Sequence, residues 1–155
     1  MRRVLKIPTV KRGKGYAAGK KISGIKRHIA VDTQGLPHAF AVTAANVTDR
    51  NGALLAFEQN RAELDEVESI LCDGSYSGKP FANSVKALLG ERVMVQVVKR
   101  NELHTFAVIP KRWGVERSFA WLEKQRRLWK NCERTFATAL QFIILTFAAL
   151  LLRRL

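Results

Sequence analysis

The chain has 155 residues, 47% of them hydrophobic, enough for one domain with a sizeable buried core. Its 27 Lys and Arg against 13 Asp and Glu leave a formal net charge of +14, which calls for a polyanionic partner. Nucleic acid leads, although an anionic membrane, an acidic protein or a ribosome would produce the same balance. Cys72 and Cys132 lack CxxC spacing and do not cluster with His28, His38 and His104, which argues against a zinc site or a disulfide. No apolar run of signal-peptide length follows Met1, so a reducing cytoplasm is expected.

Residues 1–27 contain no acid, and "VKRGKGYAAGKKISGIKR" mixes Gly with Lys20, Lys21, Lys26 and Arg27. This stretch reads as a basic, mobile N-terminal segment, either a solvated tail or an arm that tracks phosphates by charge. The domain proper is expected over 28–155. "RHIAVDTQGLPHAFAVTAAN" predicts a hairpin, with Asp32 and Gly35 at its turn. After the loop "NVTDRNGA", the apolar spacing predicts a helix over 53–66. "ESILCDGSYSG" then reads as a buried strand running into Asp73, "KPFANSVKALLG" as a helix closed by Gly90, and "RVMVQVVKR" as a buried strand. This order indicates an α/β domain with a mixed sheet.

From Pro110, "KRWGVERSFAWLEKQRRLWK" predicts one basic amphipathic helix. Arg112 with Glu116, and Glu123 with Arg127, would form i,i+4 ion pairs on an exposed face, each contributing only a few tenths of a kcal/mol. Residues 136–152 are apolar nearly all round. Spanning a membrane needs roughly 20 mostly apolar residues, and Thr138, Gln141 and Thr146 interrupt this run, so a buried core helix is expected.

Asp73 is either a turn former, through its own backbone hydrogen bonds, or a site residue at a strand's carboxyl end, where ligands of open α/β sheets sit. Glu116, on a helix in a basic setting, is the second acid of interest. Carboxylates from two such elements can converge. Phosphoryl transfer on a nucleic-acid backbone uses hard oxygen ligands to hold two divalent cations about 3.5 to 4 Å apart, while surrounding Lys and Arg position the phosphates.

Three segments, in order, carry a resemblance: "KGYAAGKKISGIKRHIAVDTQGLPHAFAVTAANVTDRNGA", "LCDGSYSG" and "PKRWGVERSFAWLEKQRRLWKNCER". Together they resemble the bacterial insertion-sequence transposases of the DDE class, more narrowly the insertion-sequence-five group within the wider insertion-sequence-four type. The resemblance implies an α/β, RNase H-like mixed sheet flanked by helices. It also implies metal-dependent DNA cleavage and strand transfer with Mg²⁺ or Mn²⁺. Asp73 in "DGSY" matches the family's second catalytic, metal-binding Asp, and Glu116 in "WGVERSFAWL" matches its catalytic, metal-binding Glu. Arg112, Arg117, Lys124 and Arg127, with the basic arm residues Lys20, Lys21, Lys26 and Arg27, are the expected DNA contacts. The implied partners are element-end and target DNA and further copies of the chain in a homo-oligomer. The implied location is the cytoplasm, at the nucleoid, with no membrane association.

One departure qualifies the match. The family's first catalytic Asp opens an Asp-Ser-x-Ser-x-Lys stretch on the first strand; here "KIPTVK" puts Lys6 at that place. Asp32, in a hairpin turn, and Asp49, in a loop, are poor substitutes. A Lys there would repel cations. The expectation is therefore an N-terminally truncated catalytic portion, inactive alone, either the downstream product of a split reading frame, to be completed by an upstream frame product, or a truncated remnant. The alternative is a non-catalytic DNA-binding remnant or a regulator of the parent transposase.

Overall fold

A computed structural model of the chain describes residues 3–6, 15–17, 22–98, 113–129 and 132–153. At its centre is the ten-residue strand β3 (Ile22–Val31), to which β1 (Arg3–Lys6), β2 (Gly15–Ala17) and β4 (Pro37–Ala44) all pair antiparallel. Strand β4 meets β3 from Ile25↔Ala44 to Val31↔Pro37, and β1 covers Gly24 to Arg27. The hairpin turn forms as its residue types dictate. Asp32 Oδ1 accepts the amides of Gln34 (2.8 Å) and Leu36 (2.9 Å), and Gly35 supplies a φ of 83°. The expected boundary at residue 27 falls inside β3, and β1, β2 and the first part of β3 lie within 1–27, with Gly24 to Arg27 buried by their strand partners.

Side chains alternate across this sheet with period two, and each face builds its own core. On one face Ile25, Ile29 and Val42 pack with Phe119, Leu122, Leu128, Ala139, Ile143 and Phe147. The other face presents Ala39 and Ala41 to Ala56, Phe57, Tyr76, Phe81 and Val85. Alanines on that face leave room for the helix above to approach closely.

That helix, α1, spans Asp49–Gln59, four residues earlier than the apolar spacing suggested. Thr48 caps it, its Oγ1 accepting the Asn51 amide at 3.3 Å. It stops at Asn60, whose Nδ2 donates to the carbonyls of Phe40 (3.0 Å) and Ala56 (2.7 Å), and a short 3-10 turn, Arg61–Leu64, follows. Strand β5 (Ser69–Asp73), a 3-10 turn (Gly74–Tyr76), α2 (Lys79–Leu89) and β6 (Met94–Val98) form a βαβ unit in which β5 and β6 pair in parallel. Neither strand is fully buried, contrary to the sequence reading. Leu71 and Met94 are exposed, because the pair is covered on one face and bare on the other.

The long basic helix is instead two: α3 (Trp113–Glu123) and a single turn, α4 (Arg126–Trp129). Helix α5 (Phe136–Leu152) has the expected bounds but not the expected burial. Ala139, Ile143 and Phe147, spaced every four residues, form its buried stripe, while Leu145 is 59% and Leu152 71% exposed. Among the described residues no helix is long and apolar enough to cross a membrane. The architecture is a mixed α/β domain with sheets flanked by helices, in keeping with an RNase H-like fold.

Candidate active site

Asp73 ends β5, and its half-buried carboxylate folds back on the loop that follows. Oδ1 accepts the Ser75 amide at 2.8 Å and also the Ser75 hydroxyl, capping the 3-10 turn. Asp73 thus stands at a strand's carboxyl end and also forms the turn. The loop is tied down twice. Tyr76 is buried with its ring 5.2 Å from that of Phe81, and Arg50 of α1 donates from Nε to the Ser75 carbonyl at 3.0 Å. Beside Asp73, burial pushes the Cys72 thiol up to about 11, so it stays protonated and inert as a nucleophile near neutral pH.

Glu116 lies exposed in the first turn of α3. What holds that helix is Ser118, fully buried, whose Oγ donates to the carbonyl of Gly35 in the hairpin turn, with the Gly114 carbonyl also 2.9 Å away. Gly35 permits the approach, since a Cβ there would lie 2.9 Å from the Gly114 carbonyl oxygen and 3.3 Å from Ser118 Oγ. The β3–β4 turn thus seats the first turn of α3, which carries Glu116. Behind it, the Arg117 guanidinium lies over the Trp121 ring at 5.8 Å. The break after Glu123 turns Arg127 away from the expected i,i+4 pairing. It bonds Glu133 at 2.8 Å instead and stacks over Phe142 at 4.2 Å.

The expected DNA contacts separate into three sets. Arg117, Lys124 and Arg127 are exposed on α3, its end and α4. Lys26 and Arg27 are buried, contrary to the sequence reading. Lys26 pairs with the buried Asp49 at 3.4 Å and donates to the Val47 carbonyl, and Arg27 donates to the Leu128 carbonyl at 2.8 Å. They brace β3 against α1 and α4 because strand pairing draws both into the sheet. Lys20, Lys21 and Arg112 lie outside the described residues. Asp49, expected in a loop, is the first residue of α1.

Next to this ion pair sits His28, 1% exposed. Its Nε2 is 2.9 Å from Thr43 Oγ1, which itself donates to the Ala44 carbonyl at 3.2 Å, so Nε2 carries the proton and Nδ1 has no partner among the described residues. Burial, with the charge of Lys26 adding to it, lowers the His28 pKa to about 4. The ring fits only because α1 carries glycine opposite it. A Cβ on Gly52 would lie 2.1 Å from the imidazole.

The oxygens of Asp73 and Glu116 are of the hard type that Mg²⁺ or Mn²⁺ prefers. Among the described residues, however, no three His, Cys, Asp or Glu side chains group to hold a metal ion. Strand β1 ends at Lys6, the place where the resemblance calls for the first acid. These residues do not fit a divalent metal centre by themselves.

A four-stranded antiparallel sheet, a parallel βαβ unit and helices on either side define the class as an RNase H-like α/β domain. The chain belongs to the transposase DDE domain family, whose model matches residues 4–152. Over 118 residues, 72% of the chain, it is 30% identical to a protein assigned as transposase for the insertion sequence element IS402 of Burkholderia cepacia. The match covers 54% of that protein, so the chain spans about half the length of this curated relative. No solved structure matches it.

Sequence reasoning passed over Arg50, Ser118 and the His28–Gly52 contact. Only the first left a trace, as a cation directly after the helix-capping "VTD", and nothing in the spacing tied it to residue 75.

Proposed function

We propose that this chain is the C-terminal portion of an insertion-sequence DDE transposase domain, one that binds DNA as it stands and cuts it only when an acid occupies the place of Lys6. In the complete enzyme, Asp73 and Glu116 are the two remaining catalytic carboxylates. The activity is cleavage at element ends followed by strand transfer into target DNA, supported by Mg²⁺ or Mn²⁺ once the first acid is present, in an assembly of several copies. The observation that carries this reading is Asp73 at the carboxyl end of a parallel strand in a chain of the transposase DDE family. Arg117, Lys124 and Arg127, exposed around α3 and α4, supply cations for the phosphate backbone.

The test is a chain carrying Lys6→Asp and the upstream region of its parent transposase, assayed for nicking of element-end DNA with Mg²⁺ or Mn²⁺. It should cut, and Asp73→Asn or Glu116→Gln should each abolish cutting. Equal cutting by either variant would remove that residue from the catalytic set. The unaltered chain should bind duplex DNA without cutting it, whether it is a subunit completed from upstream or a DNA-binding regulator of the parent enzyme. Its affinity should fall steeply with salt, and each phosphate-contacting cation removed should flatten the log–log slope by about 0.9.

A further inference from the structure

We infer that Arg50 is a positioning residue for Asp73, an inference that rests on the assignment of Asp73 proposed above. The argument follows a continuous set of contacts from the centre of the sheet to the carboxylate. The base of Arg50 is fixed first. It is the second residue of α1, between Asp49, whose carboxylate meets Lys26 of β3 at 3.4 Å, and Gly52, which closes on the His28 ring of the same strand. Two buried contacts thus clamp the first turn of α1 to β3, and the Thr48 cap fixes its direction.

From that base the exposed Arg50 reaches across 25 positions of sequence to the Ser75 carbonyl, at 3.0 Å from Nε. Ser75 in turn gives both its amide and its hydroxyl to Asp73 Oδ1. Holding the Ser75 carbonyl therefore restrains the residue whose amide and hydroxyl both donate to the Asp73 carboxylate. Residues 74 and 75 are exposed, an arginine gains little stability from one exposed carbonyl, and Tyr76 already anchors the far end of the loop in the core. The result is an orienting device built from α1 rather than from the strand that carries the acid.

The first experiment uses the chain as it exists, ¹⁵N-labelled, with amide hydrogen exchange read by NMR for wild type, Arg50→Ala and Arg50→Lys. Arg50→Ala should speed exchange of the Ser75 amide about tenfold while α1 and β3 exchange as before, and Arg50→Lys should recover part of the protection. Unchanged exchange at Ser75, or faster exchange spread equally over α1, overturns the inference, the latter by making Arg50 a residue of helix stability alone. The second arm places the same substitutions in the Lys6→Asp chain carrying its upstream region. There Arg50→Ala should lower kcat about tenfold with KM for DNA within twofold, with partial rescue by Arg50→Lys. A rise in KM with kcat kept would make Arg50 a DNA contact and overturn the inference. If that chain does not nick DNA even with Arg50 intact, the functional proposal fails, and the exchange measurement still decides whether Arg50 orders the Asp73 loop.

Discussion

The two faces of the β3–β4 hairpin are filled in different ways, and each carries one of the two acids of interest. The α3–α5 face is packed with large side chains, Ile25, Ile29, Phe119, Leu122, Ile143 and Phe147, and leads through Ser118 to Glu116. The α1–α2 face is built on alanines and holds polar groups at its margin, Lys26, His28, Thr43 and Asp49, before leading through Arg50 to Asp73. The first side relies mainly on apolar bulk, with Arg27 and Ser118 as its buried polar ties. The other also relies on close approach at Gly52 and on the buried groups Lys26, His28 and Asp49, which makes it the face more sensitive to added volume and to pH.

Truncations in the two cores test that contrast most strongly. Leu122→Ala, at a position with no exposure, should cost about 3 to 5 kcal/mol, read as a lowered urea midpoint; Val85→Ala, equally buried but smaller, should cost less. A loss as large at Val85, where fewer atoms are removed, would mean that truncation costs the α1–α2 face more per methyl group than the other. Next comes Gly52→Ala. In an ordinary exposed helix this change gains up to about 1 kcal/mol, but here the added methyl meets the His28 ring, and a loss of about 1 to 3 kcal/mol is expected. In a His28→Ala background the loss should shrink or reverse, and a double-mutant cycle measures the coupling.

The pH dependence of stability belongs to the same face. His28 titrates at about 4 in the folded chain against 6.5 in the unfolded one, so between these values the unfolded state binds more protons. Its contribution is fully present above pH 6.5 and is lost as pH falls from 6.5 through 4, up to about 3 kcal/mol in all. Urea unfolding from pH 7 to 4 should show this slope, and His28→Ala should flatten it. The smallest effect is expected on the opposite face, where Arg127→Ala breaks the pair between the exposed Arg127 and the half-buried Glu133 and should cost about 1 kcal/mol, less in high salt.

How much of the site could be read in advance differs between its two ends. The hairpin, the strand into Asp73 and the helix bearing Glu116 follow from turn residues and apolar spacing, which are local signals. Burial was read less well. Apolar runs at 69–73 and 94–98 looked like buried strands, yet Leu71 and Met94 stay exposed because β5 and β6 pair with each other as a separate two-stranded sheet. Lys26 and Arg27 looked like an arm for phosphates because their neighbours are basic and glycine-rich. Strand register, a long-range property, buries them instead.

Local pattern along the chain is enough for the α/β order, the turn at Asp32, the helix closed by Gly90, the basic character of the chain, and the three segments that mark its family. Those properties are written in neighbours along the chain, where propensity, capping and apolar period act. Tertiary structure alone decided that Ser118 seats α3 on the hairpin turn, that Gly52 admits His28, and that Arg50 reaches the loop of Asp73. Each of these joins residues 24 to 83 positions apart. Contacts of that span exist only once the sheet has set which side chains share a face.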